Sequence, residues 1–295
     1  MKFIKSIICS LILFSVAGLY AQQEGVITNF KYFMTTYNPA FAGVHGESWV
    51  ASSFRQQWSG IEDAPSSQVI ALATPLTGKL NLGISVYNSN TFVESQTFTG
   101  IDFSYRVQLA PTAALYFGLK AGGNFYSVNT SGLSTYNMVA DPDLTSISNF
   151  NPNIGAGVLL QSGFWQFSLA VPRILTTDRA NEEDGMVTTA AARPHLYASA
   201  GYEFLLNPAS HLSLQPSALL RYVSGAPVSV DFNAMLSFDS DFSIGASYRT
   251  DTAVAGLVNL RIKKRFLIGY AYEVSTRNEL ASARNTNEFS LQFLF

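Results

Sequence analysis

The stretch Phe242-Ser243-Ile244-Gly245-Ala246-Ser247-Tyr248-Arg249 decides the fold. Read with a period of two, it sets Phe242, Ile244, Ala246 and Tyr248 on one side and Ser243, Gly245, Ser247 and Arg249 on the other. A helix would scatter both sets around its axis, so the segment is a strand with one apolar face. Just upstream, Val230, Phe232, Ala234, Leu236 and Phe238 alternate with Ser229, Asp231, Asn233, Met235 and Ser237. Downstream, Phe266, Ile268, Tyr270 and Tyr272 oppose Leu267, Gly269, Ala271 and Glu273, and Phe289, Leu291, Phe293 and Phe295 close the series. The pattern recurs far upstream, where Ile101, Phe103, Tyr105 and Val107 oppose Asp102, Ser104, Arg106 and Gln108.

Carried along the chain, the alternation predicts fourteen strands, near residues 48–58, 67–74, 79–89, 97–109, 113–128, 153–161, 164–171, 195–206, 211–223, 229–239, 242–249, 252–262, 265–274 and 287–295. Short turns at 75–78, 110–112, 161–163, 207–210, 239–241 and 263–264 fall at every second junction. Longer connections at 59–66, 90–96, 129–152, 172–194 and 275–286 lie between them, and only the junctions near Gly225 and Asp251 break the rule. Segregation of loop length by parity is the habit of bacterial outer-membrane barrels, with short periplasmic turns and longer external loops. In hydrocarbon every backbone N–H and C=O must be paired, so strands that cross a membrane must close into a barrel. The reading is therefore all-β: a transmembrane antiparallel β-barrel of the outer membrane, with about 14 strands.

Composition agrees. Of 295 residues 47% are hydrophobic and 13% aromatic, but only 13% are charged, about half the roughly 25% of a soluble domain. A net charge of −2 gives no reason to expect nucleic acid, which selects basic faces. Lys2 and Lys5, the apolar run Ile7 to Leu19 and the small Ala21 form the three parts of a signal peptide over 1–21. The only cysteine, Cys9, leaves with it, which excludes disulfides and cysteine-ligated metal. Residues 22–47 do not alternate and are taken as an irregular arm, periplasmic or folded into the lumen as a plug, ahead of a barrel over 48–295.

A charge on the lipid face costs about 2–4 kcal/mol near the midplane. Arg55, Asp102, Arg106, Glu203, Arg221, Asp231, Arg249 and Glu273 are therefore expected to point inward, and their strand parities allow it. Chemistry is otherwise sparse. His45, His195 and His211 are too far apart for a metal pair, and there is no nucleophile elbow or phosphate-binding glycine loop. Gly122 and Gly123 sit in an alternating strand, where they suit close packing. The acidic residues Asp178, Glu182, Glu183 and Asp184, and Asp141 with Asp143, are read as solvated loop rather than calcium ligands. Trp49, Trp58, Trp165 and the many tyrosines could stack on a ligand, but interfacial aromatic girdles account for most of them. Neither an enzyme nor a cofactor is expected.

One set of motifs goes further. Asn38-Pro39-Ala40-Phe41-Ala42-Gly43, followed by Arg55-Gln56-Gln57-Trp58-Ser59-Gly60, resembles the start of the PorP/SprF family of Bacteroidetes outer-membrane proteins. Val171-Pro172-Arg173, Arg221-Tyr222-Val223-Ser224-Gly225-Ala226-Pro227, Gly245-Ala246-Ser247-Tyr248-Arg249 and Gly269-Tyr270-Ala271-Tyr272 continue the likeness. Phe41 departs from it, since the family more often has Tyr there. The resemblance implies an accessory barrel of the type IX secretion and gliding machinery, without catalytic chemistry. Its implied partners are the C-terminal domain of a secreted adhesin, periplasmic secretion components and outer-membrane lipids. Candidate partner-binding or lumen residues are Asn38, Pro39, Gly43, Arg55, Gln57, Trp58, Arg173, Arg221, Asp231 and Arg249. The competing reading from the residues alone is a transport channel for small or apolar solutes, since fourteen strands can enclose a lumen.

Overall fold

The computed structural model of the protein describes residues 25–44, 46–61, 63–129, 147–178, 182–183, 186–187, 191–239, 241–250, 252–277 and 285–295. In it the alternating segments pair edge to edge. The wall is built from β1 (Trp49–Gln57), β2 (Ser66–Pro75), β3 (Leu80–Thr91), β4 (Glu94–Ala110), β5 (Ala113–Val128), β6 (Ile147–Ser162), β7 (Trp165–Val171), β8 (His195–Tyr202), β9 (Leu212–Val223), β10 (Ser229–Phe238), β11 (Phe242–Arg249), β12 (Ala253–Ile262), β13 (Phe266–Ser275) and β14 (Asn285–Leu294). Each strand runs antiparallel to its neighbours in sequence, and β1 pairs with β14 from Trp49↔Leu294 to Gln57↔Thr286. The sheet thus closes on itself as a 14-stranded barrel. Closure removes the unpaired edge that hydrocarbon cannot tolerate.

The two faces separate as the period requires. Phe103, Tyr105, Ile244 and Tyr248 are outward and exposed, whereas Asp102, Ser104, Ser247 and Arg249 are buried within. Trp165 lies outward against Tyr202, with ring centroids 4.4 Å apart, and Tyr202 contacts Phe204 at the same spacing, as expected of a girdle. Trp49 does not join one. It shares the inner parity of Ala51, Ser53 and Arg55 and is buried in the lumen.

Several connections differ from the sequence expectation, and β6 begins at Ile147, inside the loop expected over 129–152, pairing with β5 as far as Val128. The loop expected at 90–96 is mostly strand: β3 and β4 stay paired to Thr91↔Glu94, and the chain turns at Phe92 and Val93, Phe92 adopting φ 53°. Here Asn88, Asn90 and Thr97 replace apolar residues, and Asn88 Nδ2 donates to Thr97 Oγ1 at 2.8 Å. Polarity on both faces hides the period while the backbone ladder continues. Strand β8 stops at Tyr202, and after Glu203 the segment Phe204–Asn207 pairs with β9 in a shifted register. The break lies beside Pro216, which has no N–H to give to a ladder. Between β7 and β8, Thr177–Asp178 pairs with Ala191–Ala192, and Glu182–Glu183 with Met186–Val187.

The core of the molecule is inside the barrel. The arm enters the lumen as a 3-10 turn over Phe30–Phe33, a single α turn over Met34–Tyr37 and a second 3-10 turn over Pro39–Phe41. Ile27, Phe30, Phe33, Tyr37, Ala40 and Phe41 pack against inward residues of the wall such as Val69, Ala71, Tyr116, Leu159 and Leu219. Residues 25–44 therefore fill the barrel as a plug. Residues 1–21, where a signal peptide is expected, lie outside the described residues, as do Asp141, Asp143 and Asp184.

Candidate functional site

The site begins with charges that parity forces inward. Arg221, Asp231, Arg249, Glu273, Arg55 and Glu288 form one chain of alternating sign around the lumen. Arg221 Nη2 lies 2.7 Å from Asp231 Oδ2, and Arg249 Nε 2.5 Å from Asp231 Oδ1. Arg249 Nη1 reaches Glu273 Oε1 at 3.2 Å, which Arg55 Nη2 meets at 2.7 Å, and Arg55 Nη1 stands 3.5 Å from Glu288 Oε2. Arg249 and Glu273 are on strands separated by β12, whose residues at that level are Ala253 and Ala255. Their short side chains let the arginine reach across. Three guanidinium groups and three carboxylates leave the chain neutral, so burial is offset by pairing within it.

The plug is gripped by this chain. The backbone N–H groups of Thr28 and Asn29 donate to Glu288 Oε2 and Oε1 at 2.7 and 3.0 Å. Thr28 Oγ1 donates to Glu273 Oε2 at 3.0 Å and accepts from Arg55 Nη1 at 2.6 Å. Asn233 Nδ2 donates to the Thr28 carbonyl at 3.0 Å, and Asn29 Nδ2 to Asn259 Oδ1 at 2.8 Å. A charge lattice in the wall thus supplies the hydrogen bonds that an irregular backbone cannot make with itself.

On the opposite wall Lys120 and Asp102 form a second buried pair, 3.0 Å apart. Lys120 Nζ also donates to Ser85 Oγ and to the Thr35 carbonyl of the plug, each at 3.1 Å. Below it, Asn38 Nδ2 donates to the Val158 carbonyl, Ala40 N–H to Asn38 Oδ1, and Ser104 Oγ to the Ala40 carbonyl. The wall makes room for this turn with glycine: a Cβ on Gly118 would stand 2.1 Å from Ala40 N, and one on Gly157 would stand 2.1 Å from Asn38 Oδ1. Gly43 turns the chain toward β1 at φ +68°, which favours glycine. Tyr37, whose hydroxyl accepts from Ile27 N–H, is held neutral by burial, which raises its pKa.

The sequence candidates separate accordingly. Asn38, Pro39 and Gly43 are plug residues, and Arg55, Arg221, Asp231 and Arg249 belong to the lattice. Gln57 and Trp58 lie apart at the upper end of β1, where Gln57 N–H donates to the Pro65 carbonyl and Trp58 turns at φ 47°. Arg173 stacks over Phe98, 5.1 Å from the ring centroid. Arg106 has the inner parity of Asp102 but is exposed near the short-turn end, donating to Gln108 Oε1. Glu203 is half-buried and accepts from Gln215 Nε2. His211 is exposed in a turn, 3.1 Å from Asp239, and His195 faces Tyr197. Sequence reading passed over Lys120 and Glu288, although both share the polar parity of their strands, with Gly118 and Gly122 for one and Thr286 and Ser290 for the other.

Two kinds of comparison bear on this geometry. The model of the family described as type IX secretion system membrane protein PorP/SprF matches residues 19–293. No match to a curated protein was found. Among solved structures, a Pseudomonas aeruginosa FadL homologue is similar with TM-score 0.54 at 11% identity, over 89% of this chain and 93% of that one. The CymD monoaromatic hydrocarbon channel gives TM-score 0.54 at 10% identity, over 89% and 92%. The Acinetobacter baumannii outer membrane protein Omp33 gives 0.50 at 9%, over 84% and 98%. At such identities the likeness establishes the outer-membrane barrel fold alone.

Proposed function

We propose, on the premise that the chain belongs to the PorP/SprF family of type IX secretion system membrane proteins, that it is a non-enzymatic accessory barrel of the outer membrane. In this reading it docks the C-terminal region of a secreted surface adhesin and engages periplasmic components of the secretion and gliding machinery. The observation that supports it is the plugged lumen. The lattice carboxylates Asp231, Glu273 and Glu288 are committed to wall arginines, and two of them also to plug groups, so the interior serves to hold a rigid body. The ends of the barrel are then the working surfaces.

A channel for small or apolar solutes, the other reading, asks for an open path where residues 25–44 are packed. The discriminating experiment is deletion of the gene with surface proteomics and complementation. Loss of one or a few adhesins from the cell surface, restored by the wild-type gene, is expected. Unchanged surface retention of all type IX cargo would refute docking, and liposome swelling by the purified barrel at porin-like rates would favour the channel.

A further inference from the structure

At the short-turn end the plug stops short of the mouth and leaves a cavity of about 310 Å³. By the loop-length rule this is the periplasmic end. Its floor is apolar, from Met34, Phe41, Trp49 and Leu267, and two cations, Lys31 and Arg261, stand at its side. Both flank Tyr32: Lys31 Nζ lies 6.0 Å from the ring centroid, and the Arg261 charge acts on the ring's hydroxyl.

These cations differ from those deeper in the lumen. Arg55, Arg221, Arg249 and Lys120 each have a carboxylate within ion-pair distance. Among the described residues, neither Lys31 nor Arg261 has one. Lys31 donates to Gln215 Oε1, whose Nε2 donates to Glu203, and the Glu203 charge acts on Lys31 from beyond ion-pair distance. The Nε of Arg261 is buried without a hydrogen-bond partner. Glu47 and Asp241 also line the cavity, but both are solvent-exposed and paired with neither cation.

We infer that this periplasmic vestibule binds the free C-terminus of a polypeptide, with the carboxylate on Arg261 and Lys31 and a bulky apolar last side chain on the Met34–Phe41–Leu267 floor. The volume lies at the low end of the roughly 300–1,000 Å³ typical of ligand clefts. It admits the end of a chain and not a folded module. Arginine suits the task because its fork meets a carboxylate with two parallel hydrogen bonds. The inference rests on the docking reading and names the part of a cargo or periplasmic partner that the barrel would hold.

The test uses the full purified barrel in detergent and a fluorescein-labelled hexapeptide of glycine and serine ending in phenylalanine. One form carries a free carboxylate, the other a C-terminal amide. Anisotropy should show saturable binding of the acid and binding about tenfold or more weaker for the amide, since hydrogen bonds to a charged group are at stake. Arg261→Gln should weaken the acid by a similar factor and leave the amide unchanged. Leu267→Trp, which fills the floor, should weaken both, and heat-modifiable migration in gels reports that each variant is folded. Equal binding of acid and amide, or no saturable binding, overturns the inference. So does displacement of the peptide by laurate at lower concentration than by unlabelled peptide, which would assign the site to fatty acids. Absence of peptide binding alongside adhesin loss on gene deletion would overturn the vestibule assignment and leave docking intact.

Discussion

Glu288→Gln is the sharpest perturbation of the plug. The carboxylate is 1% exposed, accepts the N–H groups of Thr28 and Asn29, and lies beside Arg55. Glutamine keeps the shape and one acceptor, but its NH₂ must face one of the two backbone donors, leaving a buried N–H unpaired at about 1–3 kcal/mol. The surviving bond loses its charged acceptor, and Arg55 keeps Glu273 as its one carboxylate partner. Together these amount to about 3 kcal/mol, the lower end of the roughly 3–5 kcal/mol measured when one member of a buried ion pair is removed. At about 1.4 kcal/mol per factor of ten, the first turn of the plug should open on the order of a hundredfold more often. Hydrogen exchange read by mass spectrometry reports this directly: the amides of Thr28 and Asn29 should exchange about a hundredfold faster, while those of β2 keep their protection. If exchange at Thr28 and Asn29 changes by less than about threefold, or if β2 loses protection to the same extent, the carboxylate is not the clasp described here.

Other substitutions probe independent parts of the assembly. Gly118→Val drives a side chain into the Ala40 backbone, so limited proteolysis should cut within residues 25–44 of the variant and not of the wild type. Lys120→Met leaves Asp102 buried without its cation, at about 3–5 kcal/mol, and the double variant with Asp102→Leu should recover most of that loss in urea unfolding from liposomes. Ile244→Arg places a cation on the outer face and should cost up to about 2–4 kcal/mol, according to its depth in the bilayer, in the same assay. Removing residues 25–44 should raise single-channel conductance, and a barrel that stays closed without them would show that something else blocks the lumen.

Parity is a property of one strand, and it was fully legible: Phe232 outward and Asp231 inward follow from their neighbours alone. Height within the barrel is a property of register between strands, and it was not. Arg106 and Asp102 share a face, yet Asp102 is buried against Lys120 and Arg106 is exposed near the mouth, because the plug reaches only one of their levels. The grip of Glu288 on Thr28 and Asn29 joins positions about as distant as the chain allows, one of them in a segment with no period to read. The motif Asn38-Pro39-Ala40 was legible as a signature, but its purpose became visible only against Gly118 and Gly157, which carry no signal until something is known to press on them. Trp49 is the exception to the aromatic girdle expectation: its parity, shared with Ala51 and Arg55, sends it into the lumen whatever its type favours.

The seam between β1 and β14 joins the two ends of the chain. The plug precedes β1 directly in the sequence, and the wall is complete only where β1 meets β14. That last strand carries Glu288. The stave at the seam is therefore also the latch, so a barrel left open there would have its contents unfastened as well.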